Sequence, residues 1–233
     1  MYMKTLAFIL FIFFNPFVLA DSLKSAIESE IRSDKNILRD IHRNPYETLT
    51  FFGIRPDMKV IELSPGGGWY TEILAPYLKE EGELIAAHFD PSMGDFAKRV
   101  RGNFEKKLAS SSVYDRVKLV SLNTQYSEAE SVDAVVTFRN LHNWIGPNWN
   151  FIITSAHKSL KKGGVLGVVE HRAKQGTSLE NMKKTGYVTE EYAIESIEKL
   201  GFKLVAKSEI NSNPKDTKDH PKGVWTLPPV MRL

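Results

Sequence analysis

Residues 60–72 read Val60-Ile61-Glu62-Leu63-Ser64-Pro65-Gly66-Gly67-Gly68-Trp69-Tyr70-Thr71-Glu72. A short apolar strand carries an acid near its end, passes into a glycine run and opens a helix. That order builds a nucleotide-type pocket. Glycines let the backbone come close to a ligand, and a helix start presents unpaired N–H groups. Three consecutive glycines are costly in backbone entropy, which a close-approach role explains better than a plain strand-to-helix turn. The spacing narrows the ligand. A dinucleotide loop needs G-x-G-x-x-G. Counted from Gly66, the first two glycines fit, but bulky Thr71 stands where the third should be.

Residues 1–20 carry a second signal. Lys4 follows the start, Leu6–Phe14 is unbroken apolar sequence, and Val18-Leu19-Ala20 precedes Asp21. Charge, length and flank are those of a signal peptide, so a periplasmic or secreted chain is expected. The apolar core of about ten residues is short for a membrane span of ~20. No stable membrane span is therefore expected after cleavage. The remaining 213 residues suit one domain with a full core. They hold 30 basic and 28 acidic side chains, too even a balance to suggest nucleic acid or an anionic membrane surface. Cysteine is absent, so neither disulfide staples nor thiolate metal ligands are available.

Residues 21–58 read as a helical extension. Leu23, Ile27, Ile31, Ile37, Leu38 and Ile41 are spaced for two short amphipathic helices, and Tyr46–Phe52 for a further turn ending at Gly53. From Lys59 to the end, strands alternate with helices of about ten residues. Strands are expected at 59–63, 84–89, 117–122, 133–138 and 165–170, and helices at 69–78, 96–108, 150–160 and 190–200. Residues 161–164, Lys-Lys-Gly-Gly, read as a closing turn. The alternation predicts a Rossmann-like, doubly wound, mostly parallel sheet. With Phe202–Ser208 and Gly223–Leu227 as an antiparallel C-terminal edge hairpin, the sheet has seven strands. Ligands of such sheets bind beyond the C-terminal strand ends.

These landmarks resemble a class I S-adenosylmethionine (SAM) methyltransferase. The pattern acid-x-G-x-G-x-G places Glu62, Ser64, Gly66 and Gly68, with Ser64 in the position of the first glycine. More narrowly, Asn44-Pro45-Tyr46-Glu47, Phe51-Phe52-Gly53 and Pro65-Gly66-Gly67-Gly68-Trp69-Tyr70-Thr71-Glu72-Ile73-Leu74 resemble a bacterial group of predicted methyltransferases, many with signal peptides. The resemblance covers roughly residues 40–230. It implies SAM as cofactor, held at Glu62, Ser64, Pro65, Gly66, Gly67, Gly68 and Tyr70. An acid at the end of the second strand usually grips the ribose. Ungapped alignment puts His88 there, while Asp90, two residues on, is chemically better suited, or else caps the following turn through Pro91. Asn123 stands where the family has an acid near the adenine, and Asn140 near the methyl-donor end.

The segment Arg139-Asn140-Leu141-His142-Asn143-Trp144 follows a buried strand and takes the position that faces the transferable methyl group. Methyl transfer from a sulfonium is a direct displacement helped mainly by orientation. A base matters when the acceptor must lose a proton, and His142 is the candidate because imidazole titrates near neutrality. Alternatively, Asn140 and His142 only tie down the loop. Glu170, after the next strand, reads as a loop anchor. His142, Glu170, His171 and His220 are types that suit zinc, but their positions are scattered and no metal is expected. Residues 213–223 form a polar tail, either a lid or a surface loop.

The expected function is methyl transfer from SAM to a small-molecule acceptor. An export signal sits awkwardly with a cofactor made from ATP in the cytoplasm. Two other readings therefore stand beside it. One is an exported small-molecule-binding module of the same fold without catalysis. The other is a dinucleotide oxidoreductase, disfavoured by Thr71.

Overall fold

The computed structural model describes residues 16–232, with side chains from Ser22 onward. Most of the expected signal peptide lies outside the described residues. Three helices come first: α1 (Pro16–Ile27), α2 (Asp34–Ile37) and α3 (Pro45–Phe51), with a 3-10 turn at Asp40–His42. Pro45 at the first turn and Gly53 at φ +69° just past the end set the limits of α3. Leu23, Ala26, Leu49, Phe52 and Ile54 are buried and share a core with the sheet. Ile37, Leu38 and Ile41, expected on the inner side of a helix, are 39%, 74% and 77% exposed. The four-residue α2 is too short to present a continuous inner face.

The central elements then alternate: β1 (Lys59–Leu63), α4 (Thr71–Leu78), β2 (Glu83–His88), α5 (Asp95–Leu108), β3 (Lys118–Ser121), β4 (Val132–Phe138), α6 (Leu141–Trp144), α7 (Asn148–Ser159) and β5 (Leu160–Val169). Two helices follow, α8 (Leu179–Thr185) and α9 (Glu190–Glu198). All pairings are parallel, in the order β3-β2-β1-β4-β5. Alternate residues of each central strand face opposite cores. Val60, Leu84, Ala134 and Val136 pack with Tyr70, Ile73 and Leu74 on one side. Ile61, Leu63, Ile85 and Val135 pack with Leu141, Trp149, Ile152 and Ile153 on the other. Burial on both faces explains the apolar runs of β1 and β4. Each fully buried aliphatic side chain contributes about 1.5–3 kcal/mol.

The sheet has five strands among the described residues, not seven, and no antiparallel hairpin. The would-be hairpin partner is wound into a 3-10 turn, Gly223–Thr226. There Gly223 sits against the Thr185 carbonyl, and Val224 packs on Ala173 and Tyr187. Phe202–Ser208 therefore pairs with no described strand and takes no regular structure, with Val205 85% exposed. The expected turn at 161–164 lies instead inside β5, where a register shift opposite Val132 and Ala134 absorbs it. No described helix is long and apolar enough to cross a membrane.

Candidate functional site

Strand β1 pairs with β2 on one side and β4 on the other. Strand order reverses here, and ligands of such sheets bind beyond the strand ends at this point. The glycine turn sits at this point. Ser64 adopts φ +53°, which accounts for the family's glycine at that position. Its N–H donates to the Ala87 carbonyl at 2.8 Å, while its hydroxyl is buried without a partner. Gly66 is at φ +59°, and a Cβ on Gly66 or Gly67 would meet no protein atom within 4 Å. Gly68 differs: a Cβ there would press on Lys107 and Phe104. So Gly66 and Gly67 face an open cradle, and Gly68 permits close packing of α5 beneath it. Pro65 is partly exposed beside them and accepts from Gly68 N–H at 2.9 Å.

Glu62 lies behind the cradle. It is buried and accepts a 2.6 Å hydrogen bond from the Thr71 hydroxyl. Burial, only partly offset by that bond, pushes its carboxyl up to about 7. Thr71, the residue that spoils a dinucleotide fingerprint, is thus the anchor of the strand-end acid. Tyr70, expected at the cofactor, is in the core instead. It is 2% exposed, stacks on Phe138 with centroids 3.4 Å apart, and donates to the Arg43 carbonyl at 3.3 Å. A helix start turns that side chain inward against β4.

At the end of β2, His88 is fully buried. Phe89 N–H donates to its Nδ1 at 2.8 Å, so Nε2 carries the hydrogen and donates to the Gly66 carbonyl at 3.1 Å. With both nitrogens engaged, His88 supports the glycine turn and has no nitrogen to offer a ribose. Asp90 is partly exposed. Its Oδ1 accepts from Ser92 N–H and Ser92 Oγ at 2.8 and 2.7 Å, capping a 3-10 turn. Hydrogen bonds from Ser92, and further ones from Ser121 and Asn123, hold its carboxyl below the usual range. Asn123 is exposed beside it. Asp90 and Asn123 therefore share one rim of the cleft.

On the other rim, the Asn140 amide lies 3.1–3.3 Å from the Leu63, Ser64 and Phe138 carbonyls and Thr137 Oγ1. It clamps the end of β1 to the end of β4. Two residues on, His142 is 9% exposed, and its Nδ1 is 3.1 and 3.2 Å from the two Glu170 oxygens. Burial alone would raise the Glu170 carboxyl. Hydrogen bonding from His142 and the nearby His142 and His171 rings outweigh it, and the carboxyl lies below its ordinary value. The anionic carboxylate takes the Nδ1 hydrogen, leaving Nε2 as an acceptor with no hydrogen bond to any described residue. His171, pushed down to about 4 by burial, is neutral at pH 7. Glu170, read from the sequence as a loop anchor, does anchor His142 and His171 N–H groups, but it is also the histidine's buried partner. Among the described residues no three His, Asp or Glu side chains are grouped to hold a metal.

A cavity of about 1620 Å³ does not include the glycine turn. It lies beyond Arg139, between β5 and residues 202–211. The polar tail after it is tied down: Tyr187 donates to Asp216 at 2.7 Å, and His220 lies 3.1 Å from the same oxygen.

The family model described as "Methyltransferase domain" matches residues 61–168, which span β1 through β5. This stretch of the chain carries a methyltransferase domain. It is an enzyme of the SAM-dependent type, and SAM is its cofactor. The orphaned Ser64 hydroxyl, the open face of Gly66 and Gly67, and the carboxylate of Asp90 fit that group. No curated protein matches the chain in sequence. Similar solved structures include a SAM-dependent methyltransferase from Aquifex aeolicus, with TM-score 0.57 and 16% identity over 80% of this chain and 90% of that one. A sarcosine dimethylglycine methyltransferase structure from Galdieria sulphuraria gives TM-score 0.53 and 13% identity over 78% and 74%. The [4+2]-cyclase SpnF gives TM-score 0.56 and 15% identity over 82% and 72%. At these identities the likeness concerns the fold. The readings as a non-catalytic binding module and as an oxidoreductase find no support.

Proposed function

We propose that this methyltransferase acts on a small-molecule acceptor held at the ends of β4 and β5, with His142 as the general base. The observation that carries this reading is the buried His142–Glu170 pair, two residues from the clamp that joins β4 to the glycine turn. SAM, when bound, supplies an electrophilic methyl group on a sulfonium. Ser64, Gly66 and Gly67 would receive it along the open face of the turn, and Asp90 would accept from its ribose hydroxyls. His88 holds the turn in shape from behind. Glu170 fixes the His142 tautomer, so Nε2 takes the proton that an O–H or N–H acceptor must lose. Such a base contributes roughly 10²–10⁴-fold. The polar, buried surroundings of His142 match a small acceptor rather than a polymer.

Export through residues 1–20 belongs to the same proposal. It rests on the charged, apolar, small-residue order of the sequence. Cleavage after Ala20 would leave Leu23 and Ala26, which pack into the core, in place. The test is calorimetric titration of the mature protein with SAM and with NAD, together with mass spectrometry of its N-terminus. Saturable SAM binding, no NAD binding and a chain starting near Asp21 are expected. Absence of SAM binding would remove the cofactor reading, and an intact Met1 in the cytoplasm would remove export.

A further inference from the structure

Three arginines stand out by what they lack. Arg39, Arg43 and Arg139 all line the large cavity. Of the other cations of its wall, Lys158, Lys162 and Lys203 are exposed to solvent, Lys218 is partly exposed, and others are paired. Arg172 meets Glu209 at 2.7 Å, Lys207 meets Glu190 at 2.8 Å and Lys161 meets Asp133 at 2.6 Å. Among the described residues, no carboxylate forms an ion pair with any of the three arginines. The acids that act on them at longer range serve elsewhere: Asp40 pairs with Arg32 at 2.7 Å, Glu72 with Lys107, and Glu170 with His142 at 3.1 Å.

The arrangement is costly as it stands. Arg139 follows β4 with φ +62°, a backbone setting that few non-glycine residues adopt. Its Nη2 reaches the His42 carbonyl at 3.4 Å, and its Nη1 is buried with no partner. Arg43 lies over the Trp69 ring at 4.9 Å, which fixes it without neutralising it. Burial and the charges of Arg139 and Arg39 press the Arg43 guanidinium down to about 9. Like charges gathered at one wall, with a buried donor left open, are arranged for an anion.

We propose that Arg39, Arg43 and Arg139 form a subsite for an anionic group, carboxylate or phosphate, on the methyl acceptor. Acceptor and cofactor are separated by position. Glu170 of the His142–Glu170 pair, with Leu141 and His171 beside it, lines the same cavity, whereas His142 itself, Gly66, Gly67, Asp90 and Asn123 do not. Ile41 and Phe51, 77% and 41% exposed, line it as well. An anion with an apolar body fits such a wall. The assignment to an acceptor rests on the methyltransferase reading; the anion site itself does not.

Phenyl phosphate is the probe, phenol its neutral control and inorganic phosphate the bare anion, each titrated by calorimetry into the mature protein with and without SAM. Arg139→Met and the half-exposed Arg39→Met are compared with wild type, with circular dichroism confirming the fold. Phenyl phosphate should bind about tenfold or more tighter than phenol, and inorganic phosphate should compete with it. Arg139→Met should weaken phenyl phosphate about tenfold or more and Arg39→Met severalfold, with SAM affinity unchanged in both. Equal binding of phenyl phosphate and phenol, or folded variants that bind like wild type, would overturn the subsite. Loss of SAM affinity in the same variants, with phenyl phosphate displacing SAM, would overturn it too, because the arginines would then hold the cofactor's own carboxylate. If wild type fails to bind SAM yet binds phenyl phosphate through the arginines, the methyltransferase reading falls and the anion site stands.

Discussion

Replacing Glu62 by Gln should abolish a specific part of the pH dependence of stability. Glu62 is 2% exposed behind the glycine turn, and burial raises its carboxyl from an ordinary 4.5 to about 7. Between those values the folded chain keeps a proton that the unfolded chain has released. Stability from this group is therefore fully present below about pH 4.5 and is lost as pH rises through about 7. Between pH 5 and pH 8 the loss amounts to about 2.5 kcal/mol. Gln has the same shape and still accepts the Thr71 hydroxyl, but it cannot ionise. Its extra buried N–H₂ has a cost that does not vary with pH. Urea unfolding of both proteins at pH 5 and pH 8 isolates the effect, since His171 and other titrating groups are common to both and cancel. Wild type should lose about 2.5 kcal/mol more than Glu62→Gln over that interval. If the two lose the same amount, Glu62 is not a desolvated acid, and the account of how the glycine turn is anchored fails.

Gly66→Val should leave a folded protein that no longer binds SAM. At φ +59° a branched Cβ adds strain of about 1–3 kcal/mol and occupies the open cradle, so unchanged SAM affinity by calorimetry would show that Gly66 does not line the pocket. Asp90→Ala should weaken SAM binding about ten- to a hundredfold with little change in thermal stability, whereas His88→Ala should lower the melting temperature first and affinity second. The reverse order would mean that His88 is the ribose contact. Glu170→Gln should lower methyl transfer while SAM affinity holds, because the His142 tautomer is no longer specified. His142→Ala should cost roughly 10²–10⁴-fold in turnover for an acceptor that must lose a proton. Turnover measured with labelled SAM, unchanged in His142→Ala, would reduce the pair to a structural tie.

Much of the fold was legible because its determinants are local. The apolar runs of β1 and β4, the glycine turn and the ends of α3 and α9 follow from burial on both faces, φ > 0 and helix termination. The missing edge strands were not, because Phe202–Ser208 is strand-like only if another segment pairs with it, and Gly223–Thr226 packs on α8 instead. At the site, the open turn at Gly66 and Gly67 was readable from the chain, since three consecutive glycines mark a backbone bare of side chains. Between His88 and Asp90 the sequence favoured the second only on chemistry, because a two-residue step decides whether a side chain lies under the turn, as His88 does, or is partly exposed, as Asp90 is.

The sequence by itself determined the parallel α/β class and the nucleotide-type turn through short-range pattern, and its resemblance to methyltransferases implied the cofactor. Only the tertiary structure decided which side chains meet. It brought Glu170 to His142 across 28 residues and turned Tyr70 into the core. It also set Arg139 beside Arg39 and Arg43, about a hundred residues earlier in the chain. A charged residue directly after a buried strand was the available hint for Arg139 and Glu170. Whether such a charge finds a partner, a ligand or solvent depends on packing between distant segments, and no local pattern encodes it.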